Sequence, residues 1–222
     1  MSTAVATFGA GGSEPYATAL RGGDLLYLRD TRQRASRAIV MDVSRWNADA
    51  DAADLTLLSS VTGPLLDVGC GPGRMVRAAN RLGLHALGLD VSATAIEVAS
   101  GFGGSYLEGS VFDAVPGEGM WQTVLLVDGN VGIGGNIPAL LARCRDLLSR
   151  TGEIVVELHR NADHEEHYTA QVVDSSGGHS ALFPWAEIGL DRLVALLPAL
   201  RLGLVQSWEI DGRSFCRLAI TK

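Results

Sequence analysis

Three glycines at alternate positions follow a short apolar run in residues 65–74, which read LLDVGCGPGR. Glycine loses more backbone freedom on folding than any other residue, so such a cluster indicates a specific structural need. Between a strand and a helix, glycines allow a tight turn and let a ligand approach the main chain. The free N–H groups of the helix N-terminus then favour an anion. The stretch predicts a nucleotide-type site; the alternative is a plain glycine-rich turn.

Asp90 and a later group of three residues extend this prediction. Asp90 ends the second predicted strand, roughly 20 residues after the first glycine, where an acid can accept hydrogen bonds from both hydroxyls of a ribose. Its alternative role is to cap the next helix, but Ser92 already suits that position. Ser110, Val111 and Phe112 follow the third predicted strand, where the wall of a nucleobase pocket would lie. A nucleoside bound across the strand ends would contact the glycine loop, then Asp90, and then residues 110–112.

The elements that must position these residues alternate along the middle of the chain. Strands are predicted at residues 64–69, 85–91, 105–112, 122–129 and 153–159, and helices at 73–83, 92–101 and 137–152. This alternation predicts a parallel, doubly wound α/β sheet with helices on both faces.

The two ends of the chain have different patterns. Residues 1–13 predict disorder, residues 15–46 predict a small hairpin or helical cap, and residues 49–61 have helical spacing. Towards the C-terminus, two strands joined at SSGG are predicted within residues 169–185, followed by a helix at 187–200. Two further strands flank Asp211-Gly212, which is the strongest short-range signal of a β-hairpin.

The composition of the 222 residues limits the possible functions. The formal net charge is −7 and the arginines are dispersed, so the chain lacks the basic run that nucleic-acid binders show. Cys70, Cys144 and Cys216 are too few and too far apart for a disulfide framework or a zinc cluster. No apolar run reaches the roughly 18 residues of a membrane span, and the N-terminus lacks the features of a secretory signal. The sequence therefore predicts a cytoplasmic protein without nucleic-acid or membrane partners.

The glycine spacing distinguishes between two kinds of nucleotide site. The dinucleotide fingerprint G-x-G-x-x-G/A needs a small residue where this chain has Arg74, so the sequence departs from NAD binding. Instead, G-x-G-x-G preceded by Asp67 resembles motif I of the class I S-adenosylmethionine (SAM)-dependent methyltransferases. Residues 88–92 (GLDVS) resemble the second motif of that family. Residues 125–136 (LLVDGNVGIGGN) resemble a group of uncharacterised bacterial methyltransferases.

This resemblance covers about residues 61–222 and implies a Rossmann-like domain. Its doubly wound α/β sheet would have seven mostly parallel strands, and the Asp211-Gly212 hairpin would supply the sixth and the antiparallel seventh. Residues 1–60 would form a small N-terminal cap on the acceptor side, aided by an insertion at residues 160–185.

The resemblance also implies which residues hold the cofactor. The loop would pack against the methionyl part of SAM through Gly69, Cys70, Gly71 and Gly73. Asp67 would help to hold the ammonium group through that loop. Asp90 would take the ribose hydroxyls, with Val91 against the adenine face.

The adenine end of the implied site depends on residues 110–113. Val111 and Phe112 would bound the adenine ring. Many members of the family carry an acid where this chain has Ser110, so the adenine amino group would bond either this serine or Asp113.

Candidate catalytic residues follow the fourth and fifth predicted strands. Methyl transfer from a sulfonium is an in-line displacement with an activated leaving group, so the protein has chiefly to align the acceptor and exclude water. Asp128, Gly129 and Asn130 lie near the expected methyl position, where an acid and an amide would orient an acceptor or favour the sulfonium; the alternative is an Asx-type turn. His159 would serve as a general base at the same rim, or lie in an exposed loop.

Two further groups of residues lie outside the predicted sheet. In residues 157–167 (ELHRNADHEEH), the spacing of His164 and His167 does not match H-E-x-x-H, so a solvated, charged connection without a metal is predicted. Trp46 and Trp185 would form aromatic walls over the acceptor or be buried structural residues.

The residues and the resemblance together predict a SAM-dependent methyltransferase that acts on a small organic acceptor and forms S-adenosylhomocysteine (SAH). One alternative is a SAM- or nucleotide-binding protein without catalysis, which would keep the glycine loop but make no SAH. Another is an NAD-dependent oxidoreductase, which Arg74 disfavours.

Overall fold

The computed structural model describes residues 14–22, 25–32 and 38–221, which form two β-sheets with flanking helices. The helices are α1 (Glu14–Gly22), α2 (Val43–Asn47), α3 (Ala52–Ser59), α4 (Arg74–Arg81), α5 (Ala93–Ser100), α6 (Ile137–Leu147) and α7 (Leu190–Leu196), with 3-10 helices at Asn130–Gly135 and Leu197–Leu200. The strands are β1 (Leu26–Asp30), β2 (Ala38–Met41), β3 (Leu65–Val68), β4 (Ala86–Asp90), β5 (Ser105–Glu108), β6 (Trp121–Leu126), β7 (Leu148–Leu158), β8 (Glu165–Asp174), β9 (Phe183–Ile188), β10 (Leu202–Ile210) and β11 (Arg213–Ile220).

The larger sheet confirms the predicted fold class. Its seven strands lie in the order β10-β11-β7-β6-β3-β4-β5. The strands from β3 to β7 run parallel, whereas β11 is antiparallel to both β7 and β10. Asp211 and Gly212 have φ angles of +51° and +74°, as the tight turn of this hairpin requires.

Helices cover both faces of the larger sheet because its central strands are apolar on both sides. On one face, Leu66 belongs to the same buried cluster as Leu141 of α6. On the other face, Leu65 belongs to a cluster with Val76 of α4. A ligand must therefore bind at the ends of the strands, since the faces of the sheet are occupied.

The helices are short, and four of those described, α2, α3, α5 and α6, begin at a residue whose side chain caps them. Ser92 accepts a hydrogen bond from the N–H of Ala95 at 3.2 Å and so caps α5, as the sequence predicts. Asp51 and Asp54 form a reciprocal capping box at the start of α3. Among the described residues, none of the helices combines the length and the apolar character that a crossing of the bilayer needs.

A second, antiparallel sheet has the strand order β2-β1-β8-β9. It joins the N-terminal segment to the segment after β7, although these lie far apart in the sequence. An apolar cluster that includes Tyr16, Leu26, Val172 and Phe183 packs α1 against this sheet. The division of the chain into a cap at residues 1–60, a domain at 61–222 and an insertion at 160–185 stays a prediction.

Three predicted boundaries differ from the structure. The last long helix begins at Leu190 and not at residue 187, because β9 continues to Ile188, paired with Glu165. The helix predicted to end at residue 152 ends at Leu147, because Leu148 already pairs with Trp121 in the sheet. The third predicted strand, β5, ends at residue 108. The disorder predicted for residues 1–13 lies outside the described residues.

Candidate functional site

A cavity of about 500 Å³ lies at the carboxyl ends of β3, β4, β6 and β7. The loop between β3 and α4, called here the glycine loop (residues 69–73), lines it together with Met41 of β2 and Trp185 of β9. Tyr16 of α1 and Trp46 of α2 line it as well. Elements of both sheets therefore enclose the cavity, at the place where open α/β sheets bind ligands.

The glycine loop depends on glycine for its conformation and for close packing. Gly69, Gly71 and Gly73 have φ angles of +73°, +52° and +83°, which other residues rarely adopt. A Cβ atom on Gly69 would lie 2.7 Å from the side-chain nitrogen of Asn130, and one on Gly73 would lie 2.6 Å from the Tyr106 hydroxyl. Gly69 and Gly71 line the cavity, whereas Gly73 lets α4 pack closely against β5.

Asp90 connects the glycine loop to the end of β4. Its Oδ2 atom accepts a hydrogen bond from the N–H of Gly71, and its Oδ1 atom accepts one from the N–H of Ser92, both at 2.8 Å. Burial raises the pKa of this carboxyl, and the backbone donors at Ser92, Gly71 and Val91 oppose that rise. Asp90 and Val91 both line the cavity, so the structure brings the predicted ribose acid beside the loop.

Asp67 is the buried acid at the floor of the same cavity. Among the described residues, its Oδ1 atom has no hydrogen-bond partner. Burial raises the pKa of this carboxyl to about 8, and the charges of Asp128 and Asp90 add to the rise. A buried carboxylate is costly unless it is paired, so the site fits a cationic group on a bound ligand, such as the ammonium group of SAM.

Cys70 is a buried residue of the glycine loop that lines the cavity. A Cβ atom on Gly88 would lie only 2.7 Å from the Sγ atom of Cys70, so the thiol fills the space beside this glycine. Burial raises the pKa of the thiol, as do the charges of Asp90 and Asp67. A thiol with a raised pKa is a poor nucleophile, which agrees with a packing role.

Asp128 lies in a network of arginines at the end of β6. Its carboxylate lies 2.5 Å from Arg45 Nη1, 2.5 Å from Arg74 Nη2 and 3.4 Å from Arg213 Nη2. Its backbone has a left-handed φ of +55°. Because the carboxylate already accepts from several arginines, it organises positive charge beside the cavity and is not a free base.

The arginine network continues into the protein through two more acids. Asp54, which is fully buried, contacts Arg45, Arg74 and Arg213. Glu157 accepts two hydrogen bonds from Arg213, at 2.8 and 2.7 Å, and one from the N–H of Asp128 at 2.6 Å. Paired and largely buried charges of this kind fix the relative positions of the elements that carry them.

Asn130 supports the glycine loop from the start of the 3-10 helix at Asn130–Gly135. Its side-chain nitrogen donates to the carbonyl oxygens of Val68 and Gly69, both at 2.9 Å. The predicted catalytic amide is therefore committed to the main chain of the loop, while its neighbour Gly129 lines the cavity.

The residues predicted to bound an adenine differ in their position. Ser110 and Val111 line the cavity. The Ser110 hydroxyl oxygen accepts a hydrogen bond from the N–H of Phe112 at 3.2 Å. Phe112 itself is 42% exposed and packs over Gly134, at the outer edge of this wall.

His159 lies at the end of β7, next to β9. Its N–H donates to the carbonyl oxygen of Ile188 at 2.8 Å, and its Nδ1 atom accepts from the N–H of Asn161 at 3.2 Å. Its ring stacks on that of His164, with centroids 3.7 Å apart. Glu187 of β9 lines the cavity with His159 and lies 3.0 Å from Nε2 of His164.

Sequence reasoning missed Tyr16, Arg45 and Glu187, although all three line the cavity. Tyr16 is buried, and a Cβ on Gly71 would lie 3.3 Å from its hydroxyl oxygen, so this ring covers the glycine loop. The predicted aromatic residues Trp46 and Trp185 both line the cavity. The ring of Trp46 packs edge-on against Tyr16.

Known proteins resemble the chain in both sequence and structure. Residues 66–156 match the family model described as a methyltransferase domain. A SAM-dependent methyltransferase from Bacteroides fragilis in complex with SAH has a TM-score of 0.77 at 16% identity, and the match covers 99% of this chain and 98% of that one. The 1,6-didemethyltoxoflavin-N1-methyltransferase of Burkholderia thailandensis has a TM-score of 0.57 at 16% identity, over 77% of this chain and 78% of that one.

A sugar N-methyltransferase from a Streptoalloteichus species also has a TM-score of 0.57, at 14% identity, over 77% of this chain and 88% of that one. No curated protein sequence matches the chain closely enough to count as a relative. At these identities the structural likeness shows the fold, and the family match is confined to residues 66–156. The chain therefore has the fold of the class I SAM-dependent methyltransferases, and its residues 66–156 resemble a methyltransferase domain.

Proposed function

We propose that the protein transfers a methyl group from SAM to a small-molecule acceptor and releases SAH. The observation that carries this proposal is that the glycine loop, the unpartnered Asp67 carboxyl and the Asp90 carboxylate all line one cavity. The glycine loop suits close contact between a ligand and the main chain, the Asp67 carboxyl suits a cation, and the Asp90 carboxylate suits a ribose. The combination fits SAM better than it fits a dinucleotide, because Arg74 occupies the position where the dinucleotide fingerprint needs a small residue.

Each of these residues has a separate part in binding. SAM, when bound, supplies an electrophilic methyl group on its sulfonium. Asp67 would be deprotonated beside the ammonium group, since a neighbouring cation favours the charged carboxylate. Asp90 would accept from the ribose hydroxyls while it holds the loop at Gly71. Asn130 would keep the loop in shape through its bonds to Val68 and Gly69.

The rest of the cavity would hold the acceptor. The rings of Trp46 and Trp185 supply apolar walls that exclude water, which a displacement at carbon requires. Asp128 would act by positioning Arg45 at the cavity. His159 would take up a proton if the acceptor presents a protonated nucleophile.

A small molecule is favoured as the acceptor because the cavity is enclosed by elements of both sheets and has a volume of only about 500 Å³. The net charge of −7 also disfavours a nucleic acid. Two of the similar structures are a toxoflavin-precursor N-methyltransferase and a sugar N-methyltransferase, which supports the same class of acceptor.

Calorimetric titration with SAM, SAH and NADH tests the proposal. We expect micromolar binding of SAM and SAH and no heat from NADH. Asp90→Ala should weaken SAH binding at least about tenfold, since it removes charge-assisted hydrogen bonds worth about 1.5–3 kcal/mol each. Asp146→Ala, on the exposed side of α6, is the matched control and should bind SAH like the wild type.

Two outcomes would contradict the proposal. Binding of NADH without SAH would favour an oxidoreductase. Binding of SAM without SAH formation, across a panel of amines, phenols and sugars, would favour a binding protein without catalysis.

A further inference from the structure

Three potential metal ligands meet beside the cavity, two from the connection between β7 and β8 and one from β9. They are His159 after β7, His164 in the turn before β8, and Glu187 in β9. One ligand atom from each lies within 4.8 Å of the other two. Within residues 14–22, 25–32 and 38–221, this is the one group of three such side chains with that spacing.

The main chain fixes this arrangement. The N–H of His159 donates to the carbonyl oxygen of Ile188, and the N–H of Gly189 donates to the carbonyl oxygen of His164, both at 2.8 Å. A side chain on Gly189 would collide with the carbonyl oxygen of Asn161, so glycine lets the turn before β8 close against the end of β9. The three ligands are therefore held together by backbone bonds and not by chance contact of exposed side chains.

A hydrogen bond from Tyr168 also orients the Glu187 carboxylate. The hydroxyl of Tyr168 donates to Glu187 Oε1 at 2.8 Å, while Oε2 lies 3.0 Å from His164 Nε2. Hydrogen bonds that orient a ligating carboxylate are a regular feature of metal sites.

We propose that His159, His164 and Glu187 bind a divalent transition-metal ion such as Zn²⁺. Two imidazoles and one carboxylate are a donor set that suits these ions, and three protein ligands leave coordination positions for another molecule. The hydrogen bond between His164 and Glu187 marks where the ion would lie. Binding replaces the proton at Nε2 of His164, which moves to the other ring nitrogen or to solvent. His159 gives up the hydrogen bond that its Nδ1 atom accepts from the N–H of Asn161, because the ion and a proton then occupy its two ring nitrogens.

The geometry requires a local adjustment. Ligands bonded at about 2.1 Å in a tetrahedral site lie about 3.4 Å apart. His164 and Glu187 are already 3.0 Å apart, whereas the separations within the group reach up to 4.8 Å, so His159 must move towards the other two. The stacked imidazoles differ in plane by only 25°, so one ring must turn for both to point at a single ion. His164 lies in a turn and can do this without moving a strand.

The site has a consequence for the acceptor that rests on the proposed methyl transfer. His159 and Glu187 line the cavity, so the open coordination positions face the acceptor. An acceptor with an oxygen or nitrogen donor would bind the ion directly. Coordination would orient that donor and favour its deprotonated form, as required for a nucleophile. With the ion bound, His159 would act as a ligand in place of its role as a base, and the acceptor's proton would pass to solvent.

The test uses the full chain without a histidine tag, treated with a chelator and then dialysed. Zn²⁺ is titrated by calorimetry, and Co²⁺ binding is followed by its visible absorption. We expect one ion per chain in the wild type. His164→Ala and Glu187→Gln should each weaken Zn²⁺ binding at least about tenfold, since each removes one of three ligands.

His167→Ala is the matched control, because His167 lies close in sequence, is 47% exposed and is not part of the cluster. It should bind Zn²⁺ like the wild type. No binding to the wild type, or equal binding to all variants, would overturn the proposal. SAH titration of the same variants shows whether they are folded, and it separates a failure of the metal site from a failure of the proposed function.

Discussion

Arg74 Nη2 lies 2.5 Å from Asp128 Oδ2 and so connects the first turn of α4 to the end of β6. Arg74 is only 3% exposed, and it also contacts Asp54, which is fully buried. The position at which a dinucleotide-binding protein needs a small residue therefore holds a buried cation. This cation joins α3, α4 and β6 directly beneath the cavity.

Replacement of Arg74 by methionine should strongly destabilise the protein. The change keeps much of the side-chain volume but removes the charge, which leaves Asp54 and Asp128 with fewer partners. Breaking a buried ion pair on one side costs about 3–5 kcal/mol. Because Arg45 and Arg213 still contact Asp54, we expect the lower end, about 3 kcal/mol, in the free energy of unfolding in urea.

Arg81→Met is the control for this prediction. Arg81 pairs with Asp49 on the surface, where both side chains are more than half exposed. Surface pairs are worth little, so the loss should be below about 0.5 kcal/mol. Equal losses for the two variants would show that the buried network does not stabilise the fold.

The raised pKa of Asp67 predicts how stability depends on pH. An unfolded aspartate titrates near pH 3.9, whereas the pKa of Asp67 in the folded protein is about 8. Between these values the native state holds one proton more than the unfolded state. The free energy of unfolding should therefore fall as pH rises, with a contribution from Asp67 of up to about 1.4 kcal/mol per pH unit.

Asp67→Asn should remove this contribution, because asparagine resembles the protonated acid at every pH. Urea unfolding between pH 5 and 8 should give a flatter profile for the variant, which becomes the more stable protein at pH 8. The same variant should bind SAH less tightly, since it cannot become a carboxylate beside the ammonium group. Parallel pH profiles for the two proteins would contradict the assignment.

Much of the fold could be predicted because its signals are local. The strands from β3 to β7 show as apolar runs that alternate with helical spacing, and Asp211-Gly212 specifies its hairpin by turn chemistry. The second sheet was predicted only in part, as a small hairpin or helical cap in residues 15–46 and two strands in residues 169–185. Its partners, such as Leu28 and Val172, become neighbours only through long-range pairing, so the sequence showed two strands in residues 169–185 but not what they pair with.

The candidate site also contains residues that could be predicted from the sequence and residues that could not. Residues of the glycine loop and Asp90 could be predicted, because they occupy fixed places relative to their own strands and helices. Arg45 and Glu187 could not, because they reach the cavity from segments whose position depends on the whole fold. The residues of the proposed metal site show this most clearly. The sequence pairs His164 with His167, whereas the structure places His164 with His159 and Glu187.

Asn130 separates a positioning role from a catalytic role. Its side-chain nitrogen donates to the carbonyl oxygens of Val68 and Gly69, at the start of the glycine loop. Asn130→Asp would replace this donor with a carboxylate oxygen, which would face two carbonyl oxygens and could donate to neither. We expect SAH binding to weaken at least about tenfold and the free energy of unfolding to fall by about 1–3 kcal/mol. Asn80→Asp, on the exposed side of α4, should change neither quantity. A variant with normal SAH affinity and low turnover would instead indicate direct contact with the acceptor.

The glycines after β6 allow the second sheet to approach the first. A Cβ on Gly132 would collide with the carbonyl oxygen of Ala186 and lie 2.7 Å from the ring of Trp185. Gly132→Ala should therefore lower the free energy of unfolding by about 1–3 kcal/mol and change the fluorescence of Trp185, because the added carbon forces β9 outward.

Gly119→Ala is the control for the Gly132→Ala prediction, because Gly119 has backbone strain without close contacts. Gly119 has a φ of +75°, but a Cβ there would meet nothing within 4 Å. Backbone strain alone, about 1–2 kcal/mol for a left-handed residue, ranks Gly119→Ala as the more damaging change. The collision between the sheets instead predicts the larger loss in the free energy of unfolding for Gly132→Ala. Only Gly132→Ala should alter the fluorescence of Trp185. A normal Trp185 signal in Gly132→Ala would mean that β9 does not depend on this glycine for its place against the cavity.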